Sequence, residues 1–158
     1  MMKIRCYDLR AHEGKPTLVE EKSISYKGED ELTSPEKVAN AFRKILELED
    51  MTEERLYVIA TNKRGRVTGV FEVSHGTMNN APGNLIGIFK RLLLIDNCAN
   101  FFLVHNHPSG DPRPSEADIL LTQKVDKISQ LFDNELVLLD HIIISKYNFY
   151  SLKANMDF

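Results

Sequence analysis

The sequence predicts an α/β domain in which helices pack around a mixed β-sheet. Three observations predict it. Apolar residues recur by turns with period two and period 3.6, in the order β, β, α, β-hairpin, α, β, α, β, β. Glycine, proline and small polar residues fall between those segments and rarely inside them. With 158 residues, 42% hydrophobic and 27% charged, the chain has the length and composition of one domain that buries its own core.

The elements follow in order. Lys3 to Asp8 and Thr17 to Tyr26 alternate as strands, with His12-Glu13-Gly14-Lys15-Pro16 as the turn. Lys27 to Glu31 is a polar connector, so residues 1–30 form extra N-terminal strands ahead of a core at 34–152. Ser34-Pro35 opens a helix: serine caps an orphan N–H, and proline suits the first helical position. Val38, Phe42, Ile45 and Leu46 give it an apolar stripe that fades near Glu49. Arg55 to Thr61 and Arg66 to Ser74 are hairpin strands joined at Lys63-Arg64-Gly65. Leu85, Ile88, Phe89 and Leu92 mark a second helix, with Pro82-Gly83 just before it. Asn100 to His105 is a short, strongly apolar strand. Asn106 to Pro114 carries three prolines and a glycine and reads as a loop. Ser115 starts a third helix with the stripe Leu121, Val125, Ile128 and Phe132. Leu136 to Ser145 and Phe149 to Leu152 complete the set as strands.

Composition excludes several functions. The longest apolar run, Leu56 to Ala60, has five residues, against the roughly 20 needed to span a bilayer. Met1-Met2-Lys3-Ile4-Arg5 has no apolar stretch behind it and does not read as a signal peptide. Cys6 and Cys98 form neither a C-x-x-C pair nor a disulfide framework, which suits a reducing, cytoplasmic setting. The net charge of −3 disfavours tight non-specific DNA binding, which depends on cationic side chains releasing phosphate counterions. Lys63-Arg64-Arg66 and Lys90-Arg91 are small basic clusters, read as solvated faces.

The chemistry concentrates at His105-Asn106-His107. On extended backbone, residues i and i+2 share a side, so both imidazoles can reach one point. The pair stands where a buried strand gives way to a loop, a rigid mount for a site. Asp118 follows at the start of the next helix. Two imidazoles and one carboxylate make a catalytic zinc set with the fourth position open to water. Each part also has a structural reading. The two histidines can be the polar rim of a sheet. Ser115-Glu116-Ala117-Asp118 fits a helix capping box, Ser115 capping and Asp118 reaching back. Glu72, between Phe71 and Val73, can be the solvent side of an amphipathic strand. His12 and His75 stand singly. Asp140-His141 is either an outer pair that orients the site or a strand-edge pair.

The run from His105 to Asp118, His-Asn-His-Pro-Ser-Gly-Asp-Pro-Arg-Pro-Ser-Glu-Ala-Asp, closely resembles the signature of the RadC-like branch of the JAB/MPN (JAMM) metalloprotease superfamily. The likeness continues at Leu121-Thr122, Asp140-His141-Ile142-Ile143-Ile144 and Ser151-Leu152, and upstream at Phe71-Glu72-Val73-Ser74-His75-Gly76-Thr77. It implies a JAB/MPN-like, cytidine-deaminase-like architecture. It implies that His105, His107 and Asp118 bind one Zn2+, that Glu72 is the general acid/base, and that Ser115 donates to the developing oxyanion. The implied activity is zinc-dependent hydrolysis of an amide or isopeptide bond, with a peptide or protein conjugate as substrate. The alternative is a nucleic-acid-associated accessory protein of DNA repair or recombination with a structural or vestigial metal site. Two features depart from the family. Asn80-Ala81-Pro82-Gly83-Asn84-Leu85 stands where members carry a His-Pro-Arg-Glu-like segment, and the first 30 residues do not read as a helix-hairpin-helix region. Residues 79–84 are expected to form one wall of a substrate groove and the loop Asn106 to Pro114 the other.

Overall fold

A computed structural model of the chain describes residues 1–76, 81–155 and 157–158, and for 81–84 the backbone only. The implied Gly76-Thr77 turn and residues 79–84 as a groove wall therefore fall wholly or partly outside the described residues.

The fold is α/β. Its strands are β1 (Met2–His12), β2 (Lys15–Tyr26), β3 (Arg55–Thr61), β4 (Val67–His75), β5 (Asn100–Asn106), β6 (Val137–Ile144) and β7 (Phe149–Ser151). Its helices are α1 (Pro35–Ile45), α2 (Ala81–Leu94) and α3 (Glu116–Ser129). The described strands form one mixed sheet in the order β2-β1-β4-β3-β5-β6-β7, with β1–β4 and β5–β6 parallel and the other pairs antiparallel.

Local chemistry explains the boundaries. Ser34 accepts the Lys37 N–H (3.3 Å) and Pro35 opens α1. The β3–β4 turn closes through Asn62, whose Oδ1 accepts the N–H groups of Arg64 and Arg66. Gly65 there has φ +77°, and a Cβ would meet the Leu32 carbonyl at 3.2 Å. The second helix starts at Ala81 rather than after Pro82-Gly83. Proline is tolerated in a first turn, where its missing N–H leaves no intrahelical bond unmade.

The sheet separates two cores. On one face α1 packs Val38 and Phe42 against Ile59, Val70, Phe102, Val104 and Ile142. On the other, α2 and α3 pack Ile88, Phe89, Leu121 and Val125 against Leu56, Val58, Phe71, Phe101 and Leu103. Phe132 lies in a 3-10 turn beyond α3 and stacks on Phe89 at 6.0 Å. β5 lies inside the sheet and is buried on both faces, so its apolar run Phe101 to Val104 needs no polar side. Where that run ends, it delivers His105 to the α2/α3 face and His107 to the rim.

Candidate metal centre

β5 alternates its side chains: Phe101 and Leu103 enter the α2/α3 core, and His105 follows them two residues on. Leu56, opposite His105 on β3, belongs to the same core. His107 lies just past β5, where its N–H donates to the Ile144 carbonyl (2.9 Å) and pins the loop to β6. Asp118 sits in the first turn of α3. His105 and Asp118 are almost wholly buried, and His107 keeps 11% of its side chain in solvent.

The three side chains converge. The Nε2 atoms of His105 and His107 are 2.8 Å apart. Asp118 places Oδ1 3.4 Å from His105 Nε2 and Oδ2 3.5 Å from His107 Nε2. One ligand atom from each residue lies within 4.8 Å of the others.

The other ring nitrogens are committed. His107 Nδ1 faces the Asp111 carbonyl (2.9 Å), an acceptor only, so that nitrogen carries the proton. His105 Nδ1 faces His141 Nε2 (2.7 Å). The Nε2 atoms of both rings are thereby turned toward each other and toward a carboxylate. A cation between them satisfies that arrangement, and the donor set of two imidazoles and one carboxylate suits a divalent transition metal.

The electrostatics differ from ring to ring. Burial pushes the His105 pKa well below its ordinary value, with the neighbouring His141 acting in the same direction. Burial likewise holds His141 down to about 4, neutral at physiological pH. Burial also opposes charge on His107, but its hydrogen bonds to Asp118 and the Asp111 carbonyl, with the charges of Asp118 and Glu54, prevail and raise its pKa. Burial opposes charge on Asp118, yet the bond to His107, the nearby His105 and two bonds from Ser115 keep it ionised.

Ser115 serves this carboxylate twice. Its backbone N–H and its Oγ–H each donate to Asp118 Oδ2 at 2.7 Å, while Oγ accepts the Asp118 N–H at 3.2 Å. The capping box and the metal-ligand reading are therefore one arrangement: the cap orients the candidate ligand.

Glu72 is not brought into this cluster. It pairs across the strands with Tyr57, one residue beyond Leu56, and a bulge at Val73 keeps it on the α1 face. There Glu72 Oε2 accepts from Arg55 (3.1 Å) and from the Tyr57 hydroxyl (3.2 Å). His75 Nδ1 lies 4.0 Å from Glu72 Oε1, and its Nε2 meets the Glu53 carboxylate. Asp140 also points away from the site: it accepts from Ser151 (2.5 Å) and from the Lys153 and His141 N–H groups, fastening the C-terminal turn. His141 does reach the site, through His105. His12 lies exposed at the tip of the β1–β2 hairpin.

One acidic residue that the sequence did not single out acts on the triad through its charge. Glu54 immediately precedes β3, and its charge acts on His107. Asn106, between the two histidines, brackets it. Asn106 Nδ2 donates to the Glu53 carbonyl (2.9 Å), and the Arg55 N–H donates to Asn106 Oδ1 (2.8 Å). Carrying the β3 alternation back from Leu56 puts Glu54 on the histidine side. The missing information is the β3–β5 register, which no local pattern contains.

A RadC-like JAB domain matches residues 32–157. A UPF0758 protein of Clostridium beijerinckii is 35% identical over 122 residues, which are 77% of this chain and 51% of that protein. One from Clostridium acetobutylicum is 36% identical over 122 residues, with the same shares of 77% and 51%. One from Clostridium kluyveri is 37% identical over 131 residues, 82% of this chain and 55% of that protein. The chain thus spans about half the length of these relatives. The extent of the match, the α/β sheet and the His105–His107–Asp118 constellation converge on one assignment: the chain belongs to the RadC-like JAB domain family.

Proposed function

We propose that this domain is a zinc-dependent hydrolase that cleaves an amide or isopeptide bond in a peptide or protein conjugate. The observation that carries the reading is the convergence of two imidazole nitrogens and one ionised carboxylate, with the second nitrogen of each ring already committed. His105, His107 and Asp118 hold the ion. Zinc, when bound, supplies a Lewis acid for the carbonyl oxygen and lowers the pKa of a coordinated water toward neutrality.

The chain's own residues supply the rest. Glu54, which the β3 alternation carries to the histidine side of the sheet, takes the proton of the attacking water and returns it to the leaving nitrogen. Asn106 holds the backbone on either side of Glu54 and so fixes its position. Ser115 orients Asp118. Its hydroxyl serves a developing oxyanion only by giving up Asp118, which the Ser115 backbone N–H continues to hold.

Peptide or isopeptide conjugates should be cleaved slowly, with cleavage lost on chelation and restored by zinc. A chain that binds no zinc, or cleaves equally well without it, would refute the reading. The accessory reading is tested separately. Random duplex DNA should bind weakly and with steep loss on added salt, because a chain of net charge −3 offers few cations to displace counterions. Affinity tighter than about micromolar at physiological salt would favour the nucleic-acid role.

A further inference from the structure

We infer that Thr122 and His141 form a proton-ordering relay that fixes His105 as its Nδ1–H tautomer and so turns its Nε2 lone pair toward the metal position. This inference rests on the metal reading for its purpose. Its proton assignments rest on hydrogen-bond geometry and on the complete burial that keeps both rings neutral.

The relay starts from a group with no choice. The Asp118 backbone carbonyl can only accept, and Thr122 Oγ1 lies 2.6 Å from it, one helical turn on. The Thr122 hydroxyl proton is spent there. The same oxygen lies 2.6 Å from His141 Nδ1, so in that contact the ring must donate. His141 then carries its proton on Nδ1, and as a neutral imidazole presents a lone pair at Nε2. His105 Nδ1 is 2.7 Å from that lone pair and must donate to it. His105 Nε2 is left bare, facing His107 and Asp118.

Thr122, His141 and His105 are each completely buried, so water cannot substitute for a missing partner. The relay also links two candidate ligands through the protein interior. It begins on the backbone of Asp118 in α3, crosses β6 at His141, and ends on His105 in β5. Neither Thr122 nor His141 is thereby a catalytic residue. Each is a positioning residue that selects a tautomer, the service an outer-shell partner gives a metal-bound histidine.

The decisive measurement is the assignment of ring protons in metal-free protein by two-bond proton–nitrogen correlation spectra. We expect protonated Nδ1 and bare Nε2 on both His105 and His141. Thr122→Val, nearly the same shape without the hydroxyl, should leave His105 in mixed tautomers and weaken zinc binding about 10- to 100-fold in competition with a chromophoric chelator. Thr122→Ser should restore both readouts. A packing role for Thr122 would not move the ring-proton assignment, nor would a serine rescue it. A wild-type His105 protonated on Nε2, or a folded Thr122→Val variant with wild-type zinc affinity, would overturn the relay. Failure of the wild-type chain to bind zinc, with the expected tautomers observed, would overturn the metal reading and uphold the relay.

Discussion

Where β3 begins and β5 ends, the two faces of the sheet carry two clusters of ionisable side chains built on opposite rules. On the α1 face, Glu53, His75, Glu72, Arg55 and Tyr57 alternate acceptors with donors, so every carboxylate there has a partner. Burial and the Glu72 charge push the Tyr57 hydroxyl up to about 12. Burial opposes charge on Arg55, but the charges of Glu72 and Tyr57 and its bonds to both together raise its pKa. That cluster has spent its charges on itself. On the α2/α3 face, hydrogen bonds occupy the outer nitrogens of His105 and His107, and the inner ones meet at one point beside Asp118. The two faces share a strand end and similar residues. What separates structure from chemistry here is whether lone pairs remain uncommitted.

The largest expected effect removes a converging ligand. Asp118→Ala should weaken zinc binding by more than about 100-fold, beyond the loss typical of an outer partner. Glu72→Gln should leave zinc affinity unchanged. Chelator competition on the two variants measures the contrast directly. Equal losses would mean that the faces are not independent.

Next comes the base. Glu54→Gln should retain zinc and lower turnover about 10²- to 10⁴-fold, the range of a lost general base. Glu72→Gln should keep turnover within about threefold of wild type, far from the effect of a lost general base. The reverse pattern would return the role to Glu72, as the family resemblance implies, and would require substrate binding to rearrange the α1 face.

These expectations mark how far the sequence could be read. The strands, the helices and the His105–Asp118 motif were legible because each depends on residues close in the chain: Ser34 capping α1, Ser115 capping α3, alternation through Phe101 to His105. The base was not. Glu72 and Glu54 both stand next to apolar strand residues, and only pairing decides which face each meets. A bulge at Val73 and the β3–β5 register settle it, and both are tertiary facts. The relay through Thr122 was hidden for the same reason. It joins α3, β6 and β5 across sequence separations of 19 and 36 residues.

Acid should act on the site face first. His105 and His141 are buried with depressed pKa values, His141 at about 4, whereas an unfolded histidine titrates near 6.5. Between those values the unfolded chain binds more protons than the folded one. Stability of the metal-free protein should therefore fall as pH drops from about 6.5 toward about 4, at up to about 1.4 kcal/mol per pH unit for each such imidazole. Denaturant unfolding at pH 7, 6 and 5 measures the slope. In His141→Gln, whose amide can still bridge His105 and Thr122, the slope should shrink. An unchanged slope would place the acid sensitivity elsewhere.

The smallest effect tests the self-neutralised face by itself. The Glu72 side chain is 39% exposed and that of Arg55 31%, so solvent screens their ion pair. Exposed pairs contribute about 0–1 kcal/mol, because Coulomb attraction in high dielectric is offset by ordering two long side chains. Glu72→Gln should therefore cost no more than about 1 kcal/mol in denaturant unfolding, the amide still accepting from Tyr57 and Arg55. Tyr57→Phe removes one neutral-to-charged hydrogen bond at a buried ring, so its cost should be somewhat larger, about 1.5–3 kcal/mol. The two losses should not add, since both mutations act on Glu72 Oε2. Neither should shift the acid sensitivity or the zinc affinity of the opposite face. A double variant whose losses sum would show that Glu72 and Tyr57 act independently, and one whose zinc affinity falls would show that the two clusters communicate through β3.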